Sequence, residues 1–153
     1  MITTRLGHVH LKVRDLDRAE AFYRRFLGLR RTERIGDALV FLSGGDPHHE
    51  VALQQVGPEA PPAVRQGVGL YHSAFEVPDR RTLGRAYRAL TEAGVPVHPV
   101  DHRISWALYF SDPDGNGLEI YWDTRGEPGG TPRWAGASRP LTPAQLLDGL
   151  DDD

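Results

Sequence analysis

The feature that most constrains this chain is an internal repeat. Gly7-His8-Val9-His10-Leu11-Lys12-Val13-Arg14-Asp15 leads into a helical segment through Phe22-Tyr23 to Leu27-Gly28. Tyr71-His72-Ser73-Ala74-Phe75-Glu76-Val77-Pro78-Asp79 leads into another through Tyr87 and Leu90 to Ala93-Gly94. His8 and His72, Val13 and Val77, Asp15 and Asp79, and Tyr23 and Tyr87 match at a constant spacing of 64 residues. Self-similarity at a fixed spacing is the mark of a duplicated structural module. The chain is therefore expected to fold as two like units.

The local chemistry of each unit agrees. An alternating apolar strand comes first. Asp15 or Asp79 then caps a helix by accepting backbone N–H bonds. Leu16, Ala19, Phe22, Tyr23 and Phe26 recur at helical spacing, as do Leu83, Ala86, Tyr87 and Leu90. Gly28 and Gly94 suit the left-handed position that ends a helix. Three further strands are predicted in each unit, over 29–35, 38–43 and 50–55 in the first and over 97–101, 105–111 and 118–122 in the second. Asp112-Pro113-Asp114-Gly115 joins the last two as a turn, with Pro fixing φ and Gly supplying a positive one. The predicted class is α+β, two tandem βαβββ units. Residues 1–123 make a single domain of units at about 6–56 and 68–123. The segment from Gly57 to Gly67, with three prolines, is the linker. Residues 124–153 form a tail with a short helix from Thr142 to Leu150, Pro143 in its first turn and Asp151-Asp152-Asp153 frayed.

Composition narrows the function. A chain of 153 residues is one domain by length. It carries 18 basic and 21 acidic residues, interspersed, for a net charge of −3. No nucleic-acid or membrane partner is expected. There is no cysteine, which excludes disulfides and thiolate chemistry. No apolar run spans a bilayer and the start lacks a signal pattern, so a soluble cytoplasmic protein is expected.

Glu119 stands mid-strand between Leu118 and Ile120, where a carboxylate needs a partner because a bare buried charge is expensive. Pairing of the two units would face their first strands toward one cavity, bringing His8 and His72 together with Glu119. Two imidazoles and one carboxylate with other positions open is an arrangement used for Fe(II) oxygen chemistry. His10 shares the strand parity of His8, so spacing alone leaves both open; the repeat selects His8.

The motifs around His8 to Leu16, Phe22-Tyr23 with Leu27-Gly28-Leu29, and Asp112-Pro113-Asp114-Gly115-Asn116 with Leu118-Glu119 resemble those of the vicinal oxygen chelate superfamily. It covers glyoxalases, bleomycin- and fosfomycin-resistance proteins and extradiol dioxygenases. The resemblance spans Leu6 to Trp122 and implies that the two units form one cup-shaped sheet around a metal site, with His8, His72 and Glu119 as metal ligands. Two stretches are similar to type I extradiol (catechol 2,3-) dioxygenases. In His48-His49-Glu50-Val51-Ala52-Leu53 the resemblance implies His49 as the acid–base histidine. In Asp101-His102 with Ser105 and Tyr109 it implies His102 and Tyr109 as contacts to oxygen and substrate.

The activity so implied is ring cleavage of a catechol-type diol with O₂, supported by Fe(II), with Mn(II) as an alternative, and by no organic cofactor. An imidazole near neutrality can take and return the diol's proton. A homo-oligomer is implied as well. The main rival is a glyoxalase-like isomerase or lyase with Zn²⁺ or Ni²⁺ and Glu50 as fourth ligand. Neighbouring strand residues face opposite ways, so either His49 or Glu50 enters the cup. A third reading is a non-catalytic resistance protein that binds a ligand in the cup. His98 is expected to face solvent, and Arg18, Arg24 and Arg25 read as a solvated helix face. Trp106, Tyr121 and Trp122 serve packing or substrate contact equally well.

Overall fold

The computed structural model describes residues 2–64 and 66–150. Contacts divide the chain into two compact units, Met1–Gly67 with Asp112–Asn116, and Val68–Ser111 with Gly117–Asp153.

In the first unit the order is β1 (Val9–Val13), α1 (Leu16–Leu27), β2 (Arg30–Ile35), β3 (Leu39–Ser43) and β4 (Val51–Gln55). The sheet runs β1-β4-β3-β2, with β1 parallel to β4 and the other pairs antiparallel. A parallel pair needs a crossover connection, which α1 supplies. Asp15 caps α1 by accepting the Arg18 N–H at 2.8 Å, and Gly28 ends it at φ 65°. Leu16, Ala19 and Tyr23 are buried with Val40, Leu42, Val51 and Leu53, while Phe22 and Phe26 are half-buried.

The helix face expected to be solvated is more committed than its residue types imply. Arg18 binds Asp114 at 2.6 Å, and Arg24 reaches the buried Glu20 at 3.3 Å, where Arg31 and Arg34 also converge. A buried carboxylate is tolerated because cations surround it. Asp112 and Asp114 of the predicted turn are buried in this unit. Asp112 accepts from the backbone of Asp114 and Asn116 and from the Tyr23 hydroxyl. Burial, and then the charges of Asp112 and Asp114, push the Tyr23 phenol far above its ordinary value, so it stays a donor.

In the second unit the order is β5 (Ser73–Glu76), α2 (Arg80–Glu92), β6 (His98–Asp101), β7 (Ser105–Ser111), β8 (Gly117–Asp123), β9 (Arg139–Pro140) and α3 (Pro143–Leu147). The sheet runs β5-β8-β7-β6-β9, again with first strand parallel to last core strand. Asp79 caps α2 through the Thr82 N–H at 2.7 Å. Thr142 and Gln145 form a capping box around α3, with Pro143 at its start. A Cβ on Gly84 would stand 2.2 Å from the Leu146 carbonyl, so the absence of a side chain lets α3 lie against α2.

The α+β class and the two βαβββ units are as expected. The strands form two hydrogen-bonded sheets rather than one, because each unit's first strand pairs with its own last one. The β9 strand was not predicted; it is two residues long and exists by pairing with β6. His98 is exposed, as read. The expectation for Asp151-Asp152-Asp153 lies outside the described residues. Among the described residues no helix is long and apolar enough to cross a membrane.

Candidate active site

Leu118 and Ile120 are buried in the core, so alternation turns Glu119 to the other face of β8. The register sets Glu119 beside Ala74 on β5 and opposite Tyr109 on β7. His72 immediately precedes β5, and its Nε2 lies 2.9 Å from Glu119 Oε2. A Cβ on Gly117 would stand 2.2 Å from the Tyr71 carbonyl. Glycine at that place lets β8 approach the residue that leads into His72.

Two donors at right angles on an ion with bonds of about 2.1 Å lie about 3.0 Å apart. The His72–Glu119 separation fits that spacing. His72 Nδ1 is buried and has no hydrogen-bond partner, an unusual state for a buried polar atom. An imidazole with a carboxylate suits a divalent iron, manganese, zinc or nickel ion. Among the described residues no three His, Cys, Asp or Glu side chains gather at metal spacing. His72 and Glu119 both belong to the second unit.

The same face carries two more expected residues. Burial, then the charge of Glu119 and a hydrogen bond to it, push the Tyr109 phenol up to about 12. Tyr109 is therefore protonated at neutral pH. Its oxygen lies 2.8 Å from His102 Nε2, and the ring of His72 is 5.4 Å from its own. His102 Nδ1 lies 2.7 Å from Ser138 Oγ in the tail, and Trp134 meets the imidazole edge-on at 5.8 Å. The tail is pinned there. Arg139 binds Asp101 at 3.2 Å, and Asp101 also accepts the Arg103 N–H at 2.6 Å. Thr131 donates its N–H to the Arg103 carbonyl at 2.9 Å. Arg103 itself has a positive φ of 69°, a conformation that needs such support in a non-glycine residue.

Beyond Tyr109 on this face lies a groove of about 510 Å³, lined among others by Glu76, Ser105, Tyr121, Asp123 and Trp134. Tyr121 donates to Glu76 at 3.1 Å. Arg125 grips Asp123 and holds its carboxyl down to about 2. Trp134 belongs to both groove and histidine cluster, and Tyr121 faces the groove rather than the core.

In the first unit His8 immediately precedes β1, as His72 precedes β5. The His8 and His49 rings are 4.5 Å apart, and Phe41 lies 4.9 Å from His49. His48 and His49 share a contact between their Nδ1 atoms at 2.9 Å, and His48 Nε2 lies 3.2 Å from Glu33. Burial, then the neighbouring His8, His48 and His10, lower the pKa of His49 from 6.5. Glu50 turns elsewhere: its carboxylate accepts the Gly44 N–H at 2.8 Å. Register explains the difference. Val9 pairs with Val51 where Ser73 pairs with Leu118, so the first-unit counterpart of Glu119 is Ala52, not Glu50.

Two like βαβββ units, each with a histidine at the mouth of its first strand, define a recognised class. The chain belongs to the Glyoxalase/Bleomycin resistance protein/Dioxygenase superfamily, whose profile matches residues 5–120. It is 37% identical over 124 residues to a catechol-2,3-dioxygenase of Bacillus subtilis (strain 168), covering 78% of this chain and 42% of that one. It is 34% identical over 131 residues to biphenyl-2,3-diol 1,2-dioxygenase 3 of Rhodococcus globerulus, covering 83% and 67%. The chain thus spans under half the length of the Bacillus enzyme. Among solved structures it is similar to a glyoxylase/bleomycin resistance protein/dioxygenase domain from Frankia sp. EAN1pec. There the TM-score is 0.68 with 26% identity, over 80% of this chain and 99% of that one.

Among the expected residues, His72, Glu119, Tyr109 and His102 come together in the second unit, and His8 with His49 in the first. Ser138, Trp134 and Gly117 were not anticipated. The tail offers no repeat partner and no periodicity, and a strand glycine discloses its neighbour only when the strands are paired.

Proposed function

We propose that this protein is an extradiol ring-cleaving dioxygenase. It would open a catechol-type aromatic diol beside its hydroxyls, with O₂ as co-substrate, using Fe(II), or Mn(II) in its place, held by His8, His72 and Glu119. When bound, the ion supplies Lewis acidity that makes the diol easier to deprotonate and brings the two substrates together. The observation that carries the reading is the register of the two sheets. Ala52 stands where a fourth ligand would be, and Glu50 is spent on Gly44, which leaves the glyoxalase-like alternative without its carboxylate. The relatives named as catechol and biphenyl-diol dioxygenases support the same class.

The side chains divide the proton work. Glu33 can only accept, so His48 directs Nε2–H to it and offers a bare Nδ1 to His49. His49 then carries its proton on Nδ1, and its Nε2 lone pair is free to take a proton from the diol. Its lowered pKa keeps it neutral until that happens. Tyr109 and His102 bond each other at rest and would turn as donors to negative charge that develops on oxygen. The groove beside Tyr121 and Trp134 receives the ring substituent.

The test is anaerobic loading of the purified chain with Fe(II), followed by a panel of catechols and air. Yellow ring-opened product is expected. Rapid isomerisation of a thiol–aldehyde adduct with no turnover of any diol would establish the glyoxalase-like alternative instead, and tight ligand binding without either reaction the resistance-protein one.

A further inference from the structure

We infer that the C-terminal tail sets the working tautomer of His102. Trp134 and Ser138 hold the proton on Nε2, so this imidazole turns a donor, not a base, toward Tyr109.

The argument is a count of donors and acceptors. The indole N–H of Trp134 can only donate, and it reaches Ser138 Oγ at 3.3 Å while also meeting the Ala137 carbonyl at 2.9 Å. Ser138 Oγ accepts one hydrogen bond from Trp134, and the acceptor within reach of its own O–H is His102 Nδ1 at 2.7 Å. At the far end the Glu119 carboxylate can only accept, and it faces Tyr109 across the ladder. The phenol directs its proton there and leaves a lone pair for His102 Nε2 at 2.8 Å. The line runs from an obligate donor to an obligate acceptor, and in a neutral ring one tautomer satisfies every link. The opposite tautomer would make Ser138 Oγ accept from both Trp134 and His102, leaving its O–H without a partner, and would make Tyr109 abandon the carboxylate.

The tail residues earn this role by placement. Arg139 and Thr131 fasten the segment on either side to Asp101 and Arg103, which flank His102. Ser138 touches His102 rather than the reacting atoms, so it is a positioning residue. A ring nitrogen's partner fixes the tautomer and orientation of the other nitrogen, and loss of such partners commonly costs about 10- to 100-fold in activity.

The tautomer can be read without metal or substrate. In the full chain labelled with ¹⁵N-histidine, long-range ¹H–¹⁵N correlation at pH 8 is expected to show His102 protonated on Nε2. Ser138→Ala should shift its signals toward a mixture of tautomers, Trp134→Phe should do so less, and Ser138→Thr, which keeps the hydroxyl, should restore them. A wild-type His102 protonated on Nδ1, or a Ser138→Ala protein with unchanged His102 signals, overturns the inference. The kinetic consequence rests on the ring-cleavage reading: kcat of Ser138→Ala should fall on the order of tenfold, with KM moving less than about twofold. An unchanged kcat removes the positioning role. If no diol is turned over by any form, the ring-cleavage reading fails while the spectra still decide the tautomer.

Discussion

The two units carry histidine lines that run in opposite senses. In the first, Glu33 at the surface draws protons outward through His48, and His49 is left with an exposed lone pair. In the second, the buried Glu119 draws them inward through Tyr109 and His102, and the line starts at Trp134 in the tail. On the proposed reading, one half supplies a base and the other a donor. The difference lies not in residue type but in which end of each line holds the carboxylate. The first-strand histidines and helix caps match between the units; Glu33, His48, His102, Tyr109 and Glu119, which set the two senses, have no identical residue at the 64-residue spacing.

The largest expected effect breaks the second line at its root. Glu119→Ala or His72→Ala should abolish saturable Fe(II) binding by anaerobic titration. A Lewis acid contributes several kcal/mol to such a reaction, so activity should drop by about 10³-fold or more. Next comes the first line. His49→Ala should cost about 10²-fold in kcat for diol cleavage. The sign of its pH dependence follows from burial. The folded pKa lies below the ordinary 6.5, so activity should persist as pH falls through 6.5 and be lost at more acidic values. His49→Ala should erase that acidic limb in a kcat/KM profile. Stability follows linkage: the unfolded chain binds more protons near pH 6, so the part of the stability due to neutral His49 is present above 6.5 and declines as pH falls.

Glu50→Gln sharpens the comparison by what it leaves alone. Its bond to Gly44 is a local turn contact, so activity should stay within about twofold and stability fall by about 1 kcal/mol in urea unfolding. A loss of metal binding in this variant would return Glu50 to the ligand set. The smallest effects test the likeness of the halves. Asp15→Ala and Asp79→Ala each remove a side-chain cap, and each should lower stability by about 1 kcal/mol, read as a drop in Tm. A cost confined to one helix would show that the two caps are not equivalent.

Much of this was legible in the residues themselves. Strand alternation, the aspartate caps and Gly28 report on neighbours a few positions away, and apart from the tail helix, which ends three residues early at Leu147, the element bounds fell within a residue or two of expectation. Glu119 announced itself as a polar residue flanked by Leu118 and Ile120. The choice between His49 and Glu50 was not legible, since alternation holds only inside a strand. Both precede β4, where the Gly44 N–H draws the Glu50 carboxylate to itself. Arg18 and Arg24 looked solvated because their carboxylates lie elsewhere: Asp114 is distant in sequence, and Glu20 is buried by contacts that no helical pattern records.

What the sequence by itself determined is the duplicated βαβββ plan and the histidine at the head of each copy, because capping, turn chemistry and side-chain alternation act over short separations. Tertiary structure alone decided that Ala52 answers Glu119, that Glu50 turns away, and that Ser138 reaches His102. Those outcomes depend on strand register and on contacts between segments far apart in the chain, where the direction of each hydrogen bond is set by the partner that folding delivers.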